Sequence, residues 1–328
     1  MFILLTEIRL RRVLFLSWEG KCMKIQKTYG VYLFAISLFW ALWLQLTAGP
    51  SNPHPKAKVE TWFLRANETL TLPEFKTIDT RSFPSRVKEK LPNSIVLNWE
   101  DLSQKETPNR GKLLETKTLH KKLSSLGLES SDIIIVLGDG KNGWGEEGRI
   151  VWSLREVGYP KTFWFDGDVS TFKEVINQRK DKMVSQDKTN HSYLFAQKEI
   201  QFHTDITKDQ ISKQLTQGSY QILDTREPRE FSGSTPYGEF RGGHIPGAKS
   251  FFYQNLFDDH AKIKTKEEVE NSLTQLGITK SKPIIAYCTG GVRSAFVVGI
   301  LRSYGYNAYN YSGSMWEWSS YKDLPLEK

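Results

Sequence analysis

Cysteine is almost missing from this chain: 328 residues contain two, Cys22 and Cys288. Two cysteines cannot build a disulfide framework or a cysteine-rich metal site. The six histidines show no H-x-x-x-H spacing, so no metal site is expected. Charge of one sign is scarce as well. The net charge of +8 divides into +4 on residues 1–48 and +4 spread over the remaining 280. No lysine or arginine cluster is joined to an aromatic platform, so no nucleic-acid partner is expected. What is present in quantity is apolar: 39% hydrophobic residues and 12% aromatics exclude a disordered chain and suffice for packed cores. The length suits two domains of moderate size.

Residues 30–48 are nineteen positions without a charge, preceded by Lys24 and Lys27. As a helix they would just span a bilayer core of about 30 Å. Met23, a basic region, an apolar region and a small-residue region together form the pattern of an export signal. Met23 is therefore expected to be the true start, with residues 1–22 an upstream extension and 23–49 a signal peptide or membrane anchor. Cleavage after Ala48 and retention as an anchor both stay open, because Leu46 is bulkier than a cleavage site prefers. The basic flank keeps the N-terminus inside and sends the rest across the membrane. The chain is expected to be exported, periplasmic or anchored facing out of the cytoplasm, touching the membrane only through this segment. Export leaves one mature cysteine unpaired in an oxidising compartment, which is costly unless the thiol is used.

That cysteine lies in the stretch around which the chain is organised. The apolar run Ile284, Ile285, Ala286, Tyr287 ends on Cys288, and Thr289, Gly290, Gly291, Val292, Arg293 and Ser294 lead into a helical pattern over 295–301. A strand, a short glycine loop and a helix make a nest of N–H groups around the sulfur, with the positive end of the helix dipole behind it. Arg293 adds fixed positive charge. Such a setting lowers a thiol's pKa and makes it a thiolate nucleophile.

After the proline-rich linker 50–55 the chain reads twice through one pattern. Asp79, Thr80 and Arg81 match Asp224, Thr225 and Arg226; the strand at 133–137 matches that at 283–287; and Arg149 matches Arg293. Short apolar strands alternating with helical patterns predict an α/β fold of two tandem domains, each a mainly parallel sheet flanked by helices. The expected bounds are 56–183 and 202–328, joined by a polar linker at 184–201. Gly138 corresponds to Cys288, in a loop about three residues longer that has no nucleophile. The first half is thus expected to be non-catalytic and to help wall the cleft.

Four motifs then carry a resemblance. They are Asp224-Thr225-Arg226-Glu227 with Glu230-Phe231, Gly243-His244-Ile245-Pro246-Gly247-Ala248, Tyr287-Cys288 through Arg293-Ser294, and Gly313-Ser314-Met315-Trp316-Glu317-Trp318. The second half resembles a rhodanese domain, and the chain is similar to two-domain thiosulfate/3-mercaptopyruvate sulfurtransferases. The resemblance implies that Cys288 takes a sulfane sulfur from a small anionic donor, becomes a persulfide and passes the sulfur to a thiol or cyanide, without a cofactor. It implies that Arg226 meets the donor. The Thr289, Gly290, Gly291, Val292, Arg293 and Ser294 loop would hold the anionic persulfide. Asp224 and His244 are expected to tie down neighbouring turns, and Trp316 and Trp318 to serve as lid or core. Thiosulfate enzymes often carry a basic residue two positions after the cysteine and mercaptopyruvate enzymes a serine; here it is Gly290, which leaves both donors open, thiosulfate first. Two rivals remain. One is an exported persulfide carrier without multiple turnover. The other is a cysteine phosphatase, although that chemistry uses five residues between cysteine and arginine and this loop has four.

Overall fold

The computed structural model describes residues 60–182 and 202–328. The extension at 1–22, the export segment at 23–49 and the linker at 184–201 lie outside the described residues. The first half runs β1 (Phe63–Leu64), α1 (Ala66–Thr71), β2 (Lys76–Asp79), α2 (Phe83–Lys88), β3 (Ile95–Val96), a 3-10 turn Trp99–Leu102, α3 (Thr116–Ser125), β4 (Ile134–Leu137), a 3-10 turn Gly140–Asn142, α4 (Glu146–Glu156), β5 (Thr162–Phe165) and α5 (Val169–Lys182). The second runs α6 (Lys208–Gln217), β6 (Gln221–Asp224), α7 (Pro228–Phe231), β7 (Lys249–Ser250), a 3-10 turn Tyr253–Leu256, α8 (Lys266–Gln275), β8 (Ile284–Tyr287), α9 (Val292–Ser303), β9 (Ala308–Asn310) and α10 (Ser314–Trp318).

Every strand pair is parallel, in the orders β1-β5-β4-β2-β3 and β7-β6-β8-β9. Taken from the same edge, β3-β2-β4-β5 and β7-β6-β8-β9 are one arrangement used twice. The counterpart of β1 in the second half is a single parallel bridge, Asp205 to Asn310. A parallel sheet covered on both faces demands continuous apolar strands. The central strands comply: Ile-Ile-Val-Leu in β4 and Ile-Ile-Ala-Tyr in β8 are buried at every position.

The two halves share one core. Helix α9 is buried from Val292 to Leu301 because it packs between the sheets against α4, and such a position requires a helix that is apolar all round. The axes come so close that a Cβ on Gly148 would lie 2.6 Å from the Phe296 backbone, so only glycine fits there. A continuous cluster including Trp62, Trp152, Trp164, Phe296 and Val298 fills this seam, and each half has a smaller cluster on the outer face of its sheet.

The glycine loops correct the alignment read from the sequence. Gly145 (φ 80°) and Gly291 (φ 77°) are left-handed residues immediately before α4 and α9. Between strand and helix the first half has eight residues, 138–145, and the second has four, 288–291, so the difference is four rather than three. Counted from these caps, the counterpart of Arg293 is Glu147. Arg149 stands two residues farther along, level with Ala295.

Candidate active site

The end of β8 delivers Cys288 to a loop stapled onto α10. The Cys288 amide donates to Ser314 Oγ at 3.0 Å. In return, the Cys288 and Thr289 carbonyls accept from the amides of Met315 (3.1 Å) and Trp316 (2.9 Å). Ser314 takes a left-handed φ of 47° to reach the Cys288 amide, a conformation that costs a non-glycine residue about 1 kcal/mol or more. Gly291, whose φ suits glycine, turns its N–H onto the sulfur at 3.1 Å. Ser294 Oγ lies 3.7 Å from Sγ and donates to Asn310 Oδ1 at 2.6 Å.

The thiol is 1% exposed. Burial alone would push its pKa up, but the Arg293 charge and hydrogen bonds from Ser294 and Gly290 outweigh it and hold the thiol below its ordinary value. Arg293 is itself held by a buried carboxylate: Nη1 and Nη2 donate to the two oxygens of Glu230 at 2.6 and 2.9 Å. Nη2 also donates to Thr289 Oγ1 at 2.7 Å, and that hydroxyl donates to Glu230 at 2.7 Å. Burial would raise the Glu230 carboxyl, yet its bonds and proximity to Arg293 keep it below the usual range. The result is a rigid, ion-paired guanidinium whose charge still acts on the sulfur.

Cys288 lies on the wall of a cavity of about 360 Å³ together with Thr289, Gly290, Val292 and Arg293. The other walls are Tyr237 and Trp316 from the second half and Trp99, Glu100, Arg110, Trp144 and Glu146 from the first. Trp144 meets Tyr237 edge to face with centroids 4.8 Å apart, and Arg293 stacks over Trp144 at 4.9 Å. A larger hollow of about 650 Å³ between Lys90, Lys173 and Arg179 holds neither cysteine nor histidine and is separate from this chemistry.

Of the residues singled out from the sequence, the structure brings Cys288, Thr289, Gly290, Gly291, Val292, Arg293 and Ser294 together. Arg226, expected to meet the donor, is not among them. It is 1% exposed, bound to Asp224 at 2.6 Å and to the Gly243 carbonyl at 2.8 Å, and it lies off the cavity wall. Its guanidinium is held in the interior by Asp224, with Nη1 left without a partner. Asp224 also accepts from Tyr287 OH at 2.8 Å, and His244 Nδ1 is bonded to the Phe231 carbonyl at 3.0 Å, both turn-locking contacts. Trp316 walls the cavity while Trp318 is core. That the first half walls the cleft was expected, but the residues that do so were not named from the sequence. They come from loops, a 3-10 turn and the first residue of α4, none marked by periodicity; the one available signal was Trp144, an aromatic set between glycines and carboxylates and 40% exposed.

Residues 207–321 match the rhodanese-like domain family. The chain is similar to thiosulfate/3-mercaptopyruvate sulfurtransferase 1, mitochondrial, of Arabidopsis thaliana, at 26% identity over 310 residues covering 86% of this chain and 80% of the plant protein. It is similar to thiosulfate sulfurtransferase of Azotobacter vinelandii, at 24% identity over 259 residues covering 79% of this chain and 93% of the bacterial one. Among solved structures, the 3-mercaptopyruvate sulfotransferase SseA from Escherichia coli, a rhodanese fold, matches with a TM-score of 0.57 and 22% identity, covering 77% of this chain and 98% of that one. At that identity the likeness speaks for the fold.

Proposed function

We propose that the chain, whose residues 207–321 match the rhodanese-like domain family, is a sulfurtransferase carrying a sulfane sulfur as a persulfide on Cys288. The donor is a small anion, thiosulfate first and 3-mercaptopyruvate second, and the acceptor is a thiol or cyanide. The observation that carries this reading is the setting of one sulfur: Cys288 lines an open cavity, accepts an amide N–H at 3.1 Å and is kept easily ionised by the Arg293 charge. With thiosulfate, the thiolate attacks the outer sulfur, the S–S bond breaks and sulfite leaves with the electron pair. The terminal sulfur of the persulfide then bonds to cyanide as thiocyanate, and the thiolate returns. The amides that hold the thiolate also face the anionic persulfide. Residues 202–328 carry the chemistry and residues 56–183 wall the cleft.

Phosphatase chemistry fits less well. It needs a guanidinium over the incoming tetrahedral group, and Arg293 gives both terminal nitrogens to Glu230. The charge pattern of residues 23–49 supports a location outside the cytoplasm, with cleavage after Ala48 or retention by that segment.

Intact mass before and after thiosulfate tests the proposal. The protein is expected to gain one sulfur atom on Cys288, and Cys288→Ser is expected to drop thiosulfate:cyanide turnover to the uncatalysed background. Full activity in that variant would sink the enzyme reading; stoichiometric labelling without turnover would replace it with a carrier. The same spectrum of the exported protein, showing a start at residue 49 or an intact segment, decides between cleavage and anchoring, and a cytoplasmic pool alone would refute export.

A further inference from the structure

An anionic donor needs a cation to meet it, and the cation that the second half places on the cavity wall is Arg293, already paired with Glu230. Arg226 and Arg293 are each bound to a buried carboxylate at 2.6 Å. Position 290 cannot supply one either, because a Cβ there would fall 2.1 Å from the Trp316 ring. The remaining guanidinium on the cavity wall comes from the other half of the chain. Arg110 lies over Trp316 with Cζ 3.7 Å from the ring centroid, and it forms no ion pair among the described residues. Stacking occupies the face of a guanidinium and leaves its edge N–H groups free for a carboxylate or oxyanion.

The segment that carries Arg110 is fixed against the reactive loop. A Cβ on Gly111 would lie 2.8 Å from the Gly290 carbonyl oxygen, so the two backbones touch. Arg149, fully buried, donates from Nη1 to the Gly291 carbonyl at 3.0 Å and from Nη2 to the Gly111 carbonyl. One guanidinium thus binds the neighbour of Arg110 to the neighbour of Gly290, which makes Arg149 a positioning residue. Glu100 and Glu146 share the wall, so without Arg110 the approach to Cys288 would be lined by acids and an arginine already paired with Glu230.

We propose that Arg110 reads the anionic group of the sulfur donor, so that the half without a nucleophile provides the donor-binding residue. This rests on the sulfurtransferase reading for the identity of the anion, and its test has a readout that does not. Cys288 is alkylated in parallel with iodoacetate and iodoacetamide, and peptide mass separates it from Cys22. Each reagent forms an Sγ–carbon bond with loss of iodide, and the two differ by one negative charge. Arg110→Met is expected to lower the iodoacetate-to-iodoacetamide rate ratio about tenfold and to raise the KM for thiosulfate by a similar factor, the loss of roughly one charge-assisted contact. Most of the effect falls on KM rather than kcat, and Arg110→Lys recovers part of it. An unchanged ratio in the methionine variant, or a fall in kcat with KM unmoved, overturns the proposal. If the unaltered protein transfers no sulfur, the sulfurtransferase reading fails, while the alkylation ratio still decides whether Arg110 meets anions.

Discussion

Gly290 and Trp316 meet across the reactive loop closely enough to decide which side chains the loop accepts. A Cβ at 290 would fall 2.1 Å from the indole, and the indole carries Arg110 on its face. Gly290→Ser, the residue of the mercaptopyruvate pattern, therefore displaces Trp316 rather than adding a hydroxyl to the loop. Its expected cost is about 1–3 kcal/mol of stability from overpacking, with a raised KM for thiosulfate and no gain with mercaptopyruvate; denaturant midpoints and steady-state kinetics check both. At this scale the sequence made the nucleophile and its loop legible, because two adjacent glycines and an arginine stand within five residues after Cys288. It did not make Arg226 legible. Residue type announced a cation, but direction depends on tertiary packing, and the same pair occurs in the first half, where Arg81 binds Asp79 at 2.8 Å and the Glu89 carbonyl at 2.9 Å beside no nucleophile. An arrangement repeated without the chemistry belongs to the fold.

Helices α4 and α9 hold the two sheets in register through a contact that admits no side chain at Gly148. Gly148→Val pushes a branched carbon into the Phe296 backbone and must part the helices; the expected loss is about 3 kcal/mol. Urea unfolding would show it as a lower midpoint, and an unchanged midpoint would mean that the seam is looser than described. Strands and helices were the most readable level of the sequence, since Ile-Ile-Val-Leu and Ile-Ile-Ala-Tyr runs leading into glycine-bearing loops signal buried parallel strands entering helices. Their register was less readable. Arg149 was a plausible mate for Arg293 by residue type, and only the left-handed glycines at 145 and 291 reveal that Glu147 is the structural counterpart. Loop length between matching elements is not encoded in periodicity, so the four extra residues could be counted only in three dimensions.

The whole molecule carries acids in places where they cannot ionise freely. Burial pushes Glu147 from an ordinary 4.5 up to about 8, with Glu146 adding repulsion, and one of its oxygens has no partner. That oxygen fills the space a side chain at Gly138 would need, 2.0 Å from where its Cβ would sit. A raised acid pKa means that the folded state binds the proton more tightly than the unfolded one. The contribution is complete below the unfolded value near 4.5 and is lost as pH climbs to about 8. At about 1.4 kcal/mol per unit the loss amounts to a few kcal/mol. Glu156, raised to about 7, and Asp205, raised to about 6, both chiefly by burial, act in the same direction. The melting temperature is therefore expected to fall between pH 5 and pH 8, and Glu147→Gln to flatten that slope; parallel slopes in a thermal series would show that Glu147 is not the neutral group. The double use of one Asp–Arg motif and one strand order was legible at this scale as a duplication, while the shared seam between the copies was not, because each copy reads as a domain complete in itself.

Arg149 reaches from one copy to the carbonyls of both loops that frame the thiol, and this has a consequence for descent. A duplicated gene ordinarily leaves its spare half free to drift. Here the half without a nucleophile holds the other's loop in place, so a change at residue 149 or 111 is felt by the thiol as directly as a change at 291.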